Sequence, residues 1–211
     1  MRIACVGSRE IPGEVADACR EMGAELARAG YSIVTGATPG TPGQDEWVDW
    51  ADGAFATGAY YADPTCIIVC LPWHHFPHGS SVPPDLEVQY FEGHPEWADA
   101  AAAYWAARRA DEAGPWASIR RANRLRLVRN AGIILQSRLA LAWPHGEAEG
   151  TRFAMDFADW RGVPVIDLSQ LSWQDVLAAL LAQAAAHLLP EKSNQASELS
   201  QRYATIKESR D

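Results

Sequence analysis

The chain has 211 residues, 48% apolar and 21% charged, with 18 lysines and arginines against 27 aspartates and glutamates. That composition supplies the core of one compact domain and excludes wholesale disorder, and no apolar run nears the roughly 18 residues of a membrane span. The net charge of −9 and a pI near 5.1 weigh against non-specific DNA binding, which needs many cations, so any anion must be held by a local site.

Met1 leads directly into a strand-like run at residues 2–6, without the apolar stretch and cleavage site of a secretory signal. Residues 13–29 read as a helix, because Val15, Cys19, Met22, Leu26 and Ala29 recur at helical spacing and Gly30 follows as a stop. A strand is expected at 31–35, a helix at 44–58 and a third strand at 66–71. Residues 72–117 break this rhythm. Rich in Pro, His, Trp and acidic residues, they read as an insertion over one end of the sheet, with an Ala-rich, partly helical stretch at 96–113. The alternation then resumes with a helix at 118–136, a strand at 138–143, a helix at 150–161, a strand at 163–168 and a helix at 172–189. Pro190 stops that last helix, and residues 191–211 form a polar tail.

Four cysteines, Cys5, Cys19, Cys66 and Cys70, read as small core hydrophobes. Cys66 and Cys70, placed four residues apart on a strand, would lie roughly 13 Å apart, too far for a disulfide or a shared metal. Unpaired thiols of this kind imply a reducing, cytoplasmic setting.

Strands alternating with helices imply an α/β fold: a doubly wound, mostly parallel five-stranded sheet with helices on both faces and an insertion after strand three. The expected organisation is one domain over 1–190, including the insertion, followed by the tail. Right-handed crossovers favour the strand order 3-2-1-4-5, which sets strands one and four side by side at a topological switch where ligands bind.

The loops at that switch are suggestive. Gly7, Ser8 and Arg9 follow strand one and offer a close backbone approach, a hydroxyl and a planar cationic fork. Strand two runs into a glycine-rich loop containing Gly36, Ala37 and Gly40, with Asp45 and Glu46 at the expected helix start. Those two acids either complement the helix dipole, bind ribose hydroxyls or do chemistry. Gly146, Glu147, Glu149, Gly150 and Thr151 follow strand four and enter another helix. The glycine-rich loop after strand two is neither the dinucleotide fingerprint nor a Walker sequence.

Val6-Gly7-Ser8-Arg9, the run Gly30 to Ala37 and Asp45 resemble the Rossmann-like superfamily called SLOG, which includes the DNA-processing protein A (Smf) and LOG groups. Arg129-Asn130, the run Gly146 to Thr151, Ala158 and Gly162-Val163-Pro164-Val165 continue that resemblance. It covers about residues 1–71 and 118–168. It implies a nucleotide pocket formed by Gly7, Ser8, Arg9, Gly36, Ala37, Gly40, Asp45, Arg129, Asn130, Gly146, Gly150 and Thr151. Two departures stand out. In the signature of the LOG phosphoribohydrolases, Pro144-His145-Gly146 replaces Pro-Gly-Gly and Ala154 stands where the glutamate belongs; and the loop after strand two has extra residues, Thr38–Gly43, that shift Asp45 relative to the usual pattern. A hydrolase built on this chain would draw its carboxylate from Glu147, Glu149 or Asp156.

Two further clusters carry alternatives. His74, His75 and His78 invite a metal, but Pro77 breaks their spacing and no cysteine completes a set, so no metal is expected. That stretch reads first as packing under the insertion; the alternative is a lid over the pocket, with Trp73 or Phe76 stacking on a base. Arg120, Arg121, Arg124, Arg126 and Arg129 read first as a solvated helix face paired with acidic groups of the insertion; the alternative puts Arg129, and with it Arg126, at the pocket. The leading expectation is therefore a protein that binds a nucleotide or nucleoside-derived phosphate ligand, with no other cofactor. One alternative is a hydrolase or transferase acting on an N-glycosidic bond through Asp45, Glu46, Glu147 or Glu149. The other is a DNA-associated module. A homodimer is expected because helices flanking such sheets often pair.

Overall fold

Alternating side chains of β1 (Arg2–Gly7) sort the core onto two faces. Ile3 and Cys5 point one way, Ala4 and Val6 the other, and all four are buried. The computed structural model describes residues 1–40, 49–74, 76, 83, 85–146 and 148–188. Across it the same alternation continues through β2 (Ser32–Thr35), β3 (Ile67–Leu71) and β5 (Leu139–Trp143). Burial on both faces is what a parallel sheet with helices on each side requires.

The sheet has six strands, all paired in parallel, in the order β4-β3-β2-β1-β5-β6. Five strands were expected. The additional one is β4 (Glu87–Tyr90), which lies within the expected insertion and pairs with β3 at the sheet edge. With that strand set aside, the order is the doubly wound one, and β1 lies between β2 and β5, with Gly7 level with Trp143. β6 (Val165–Asp167) forms the other edge.

Helices α1 (Gly13–Arg28), α2 (Ala51–Ala62) and α7 (Trp173–Leu188) cover one face. The other face carries α3 (Pro95–Arg108), α5 (Arg121–Leu135) and α6 (Glu149–Trp160), with the single-turn α4 (Ala110–Ala113) after α3. The segment 72–117 is thus more than a cover over the sheet end. Besides an edge strand it contributes α3, whose Trp97, Ala101, Tyr104 and Trp105 are buried in the second core. Tyr104 stands edge-on to Phe153 and Phe157 of α6, at 5.2 and 5.6 Å between ring centres.

Two local expectations change. The helix expected from residue 44 is α2, which begins at Ala51; residues 41–48, with Asp45 and Glu46, lie outside the described residues. Cys66 closes a 3-10 turn, Pro64–Cys66, instead of opening strand three, and its thiol faces the Asp63 carboxylate at 3.3 Å. The tail 191–211 lies outside the described residues. All four cysteines are free thiols. No helix among the described residues is long and apolar enough to cross a membrane.

Candidate functional site

The switch between β1 and β5 opens into a cleft of about 720 Å³ at the C-terminal ends of the strands. Gly7, Ser8 and Arg9 from the β1 end line it, with Gly36 and Ala37 from the β2 end. Arg129 and Asn130 of α5 line it too, as do Gly146, Gly150 and Thr151 around the start of α6. Of the residues named from sequence as ligand contacts, Gly40 is the exception. Its N–H donates to Thr57 Oγ1 on α2 at 3.2 Å, and it is not part of the cleft wall. Of the four candidate catalytic carboxylates, Glu149 lines the cleft at its exposed rim. Asp45, Glu46 and Glu147 lie outside the described residues.

The best-ordered part of the site is a polar knot beneath the β1 and β2 ends. Arg129 is 8% exposed and donates from Nη1 to the Gly36 carbonyl at 2.6 Å and to Asp52 Oδ2 at 3.3 Å. Asp52 Oδ1 accepts from the Gly7 N–H at 2.7 Å. The arginine passes so close to the β2 end that a Cβ at residue 36 would lie 1.4 Å from Nη1, so any other residue there must displace the guanidinium. Burial raises the Asp52 carboxyl above its ordinary value, against the pull of Arg129, the Gly7 N–H and Arg9. Asp52 was not anticipated from sequence. Its signal, an acid in the first turn of a helix, was assigned to Asp45 and Glu46 because the glycine-rich loop obscures where α2 begins.

Two expected ligand donors are instead committed to the protein. The Ser8 hydroxyl accepts from the His145 N–H at 2.7 Å and donates to the His145 carbonyl at 3.2 Å, tying the β1 end to the β5–α6 loop. Asn130 Nδ2 donates to the Gly150 carbonyl at 2.8 Å and so anchors the first turn of α6 to α5. That turn has no side-chain N-cap, and Thr151 within it is buried. Its leading N–H groups therefore have no intrahelical acceptor and, among the described residues, no capping side chain.

Arg9, Arg126 and Arg129 mark three depths of the same wall: exposed, half-buried and buried. Arg9 lies over the Trp50 ring at 5.0 Å. Among the described residues Arg126, one helical turn before Arg129, has no ion pair, and its buried Nε has no hydrogen-bond partner; Arg129 Nε is likewise orphaned. Burial, helped by the charges of Arg9 and Arg129, holds the Arg126 guanidinium below its ordinary value. The remaining wall is apolar. Phe76, Trp105, Ile119 and Leu127 line it, and the Trp105 ring is fixed by Nε1 donating to the Gly114 carbonyl at 2.8 Å. Phe76, expected as a stacking or packing residue, is 4% exposed and stands edge-on to Trp73.

His74 stacks on Tyr90 at 3.8 Å, and His75 and His78 lie outside the described residues. Among the described residues no three His, Cys, Asp or Glu are grouped to hold a metal.

No family model matches this chain, and no curated protein matches it. Among solved structures it is similar to the molybdenum cofactor binding protein from the phototrophic bacterium Rippkaea orientalis, with 17% identity, a TM-score of 0.45 and coverage of 97% of this chain and 96% of that one. A likeness this loose decides neither ligand nor activity.

Proposed function

We propose that the cleft binds a phosphate-bearing nucleotide or nucleoside-derived small molecule. The observation that supports this reading best is the excess of guanidinium in a chain of net charge −9. Arg9, Arg126 and Arg129 line one wall, and Asp52, the buried carboxylate among them, is already shared between Arg129 and the Gly7 N–H. An anion at this wall relieves the mutual repulsion of the arginines and gives the orphaned Nε groups an acceptor. The first turn of α6 adds backbone donors and the positive end of the helix dipole. Trp105, Ile119 and Phe76 form the apolar flank that a planar heterocycle needs. The volume is that of a site for a ligand of this size.

The SLOG resemblance points the same way. Its hydrolase branch has a narrower footing here. Ala154, at the position of the LOG glutamate, is fully buried in the apolar core. Glu149, on the cleft rim, is the carboxylate that such an activity would use among the described residues.

A thermal-shift panel of nucleoside mono-, di- and triphosphates, cyclic nucleotides and NAD-related compounds tests the reading. Wild type would be run beside Arg9→Ala, and each hit checked by chromatography for release of free base. A ligand at 100 times its Kd stabilises the fold by about 2.7 kcal/mol. We expect such a shift in wild type and its loss in Arg9→Ala. Absence of any shift across the panel overturns the reading, and base release from a hit would make the protein an enzyme.

A further inference from the structure

The cleft contains two features that favour anions, and the fold places them on opposite flanks of the β1 end. Sheet order runs β2, β1, β5 across the crevice. On the β2 flank, Arg129 reaches the Gly36 carbonyl and Asp52, and Arg9 leans over Trp50 at the start of α2. On the β5 flank, Asn130 reaches the Gly150 carbonyl and holds the uncapped start of α6 against the cleft. Arg129 and Asn130 are consecutive residues of one helix, so α5 bridges the two flanks.

The charges on the two sides are not interchangeable. Asp52 offsets the charge of Arg129, which leaves Arg9 and Arg126, whose charges act on one another, as the excess among the described residues of the cleft. Among the described residues neither has an ion pair, and the other acids that line the cleft, Glu10 and Glu149, are exposed at its rim. His145 also lines the rim, with its backbone committed to Ser8. A single phosphate seated on the α6 amides leaves the Arg9–Arg126 pair uncompensated. One seated on the arginines leaves the helix amides open. The apolar wall of Trp105, Ile119 and Leu127 suits a ring system carrying anions on two sides.

We infer that the ligand is bis-anionic: one phosphate on the first turn of α6 and a second, separate anionic group on Arg9 and Arg126, with Arg126 setting the preference for the second charge. This rests on the nucleotide reading above and narrows it to nucleotide-like molecules with anionic groups at two positions.

Isothermal titration of the full chain with adenosine 5′-monophosphate, adenosine 3′-monophosphate and adenosine 3′,5′-bisphosphate, and with the guanosine counterparts, tests it. The bisphosphate of at least one base is expected to bind about tenfold or more tightly than either of its monophosphates, the increment of one charge-assisted contact. Arg126→Gln should bring that ratio close to one, and Arg126→Lys should restore most of it. Arg9→Gln, at an exposed position where folding is not at stake, should also reduce it. Monophosphates that bind as tightly as bisphosphates, or a preference that survives both glutamine variants, overturn the inference and leave the nucleotide reading standing. Failure of every nucleotide to bind at millimolar concentration overturns both.

Discussion

An added Cβ at Gly36 would fall on the Arg129 guanidinium, and that makes residue 36 a tight position in the cleft. A methyl group there meets Nη1 at 1.4 Å, so Gly36→Ala must expel the guanidinium and abandon its bond to the Gly36 carbonyl. We expect a loss of roughly 1–3 kcal/mol from overpacking, or more if Asp52 is left buried without its partner. Chemical denaturation of the variant measures it, and a change below about 0.5 kcal/mol contradicts the tight geometry. Asp52 supplies a second prediction. Its folded-state carboxyl is raised by burial, so the folded chain holds that proton more tightly than the unfolded one, which titrates near about 3.9. The stability linked to the bound proton is fully present below that pH and is lost as pH rises through the folded value. The stability of wild type relative to Asp52→Asn should therefore fall as pH climbs from about 4 and then level off. A difference that rises with pH reverses the assignment. The glycines, Arg9 and Arg129 were readable because their chemistry is local to a strand end or a short motif. Asp52 was not, because its role depends on where α2 starts, and Ala51 is placed by its N–H donating to the Ser8 carbonyl, across from another strand.

Among the elements, α3 shows why the middle of the chain was hard to read. Its composition is mostly alanine with aromatic residues, and its burial is decided by α5, which comes later in sequence. Trp97 lies against Gly132 of α5, where an added Cβ would sit 2.2 Å from the indole. Gly132→Ala should thus push Trp97 out of place and cost roughly 1–3 kcal/mol. The midpoint of urea unfolding and the near-ultraviolet circular dichroism of the tryptophans check it, and an unchanged midpoint would mean that α3 docks differently. β4 was missed for a related reason. Glu87-Val88-Gln89-Tyr90 is a half-exposed edge strand with no apolar run, and only its pairing with β3 makes it a strand. By contrast β1, β3, β5, α1 and α7 were legible within a few residues, because apolar runs and helical periodicity report burial directly.

At the scale of the whole molecule, two cores enclose the sheet, and three of the four thiols lie inside them. Cys5, Cys19 and Cys70 are buried, and burial pushes all three thiols upward, Cys70 to about 12. Cys66 is half-buried and is raised by burial and by Asp63. A maleimide reagent at neutral pH should therefore modify Cys66 first in the native protein, with the other three reacting only as the fold opens and all four reacting in denaturant. Rapid native modification of two or more thiols contradicts this core. The amino-acid sequence alone determined the α/β class, the strand order around the switch and most of the residues at the strand ends. Those properties follow from side-chain period and from glycine-containing turns, both of which are written in neighbouring residues. Tertiary structure decided the sixth strand, the docking of α3, the commitment of Ser8 and Asn130 to the scaffold, and the gathering of Arg9, Arg126, Arg129 and Asp52 at one wall. These depend on which distant segments share a surface, and the free energy of a buried charge is set by what surrounds it in space.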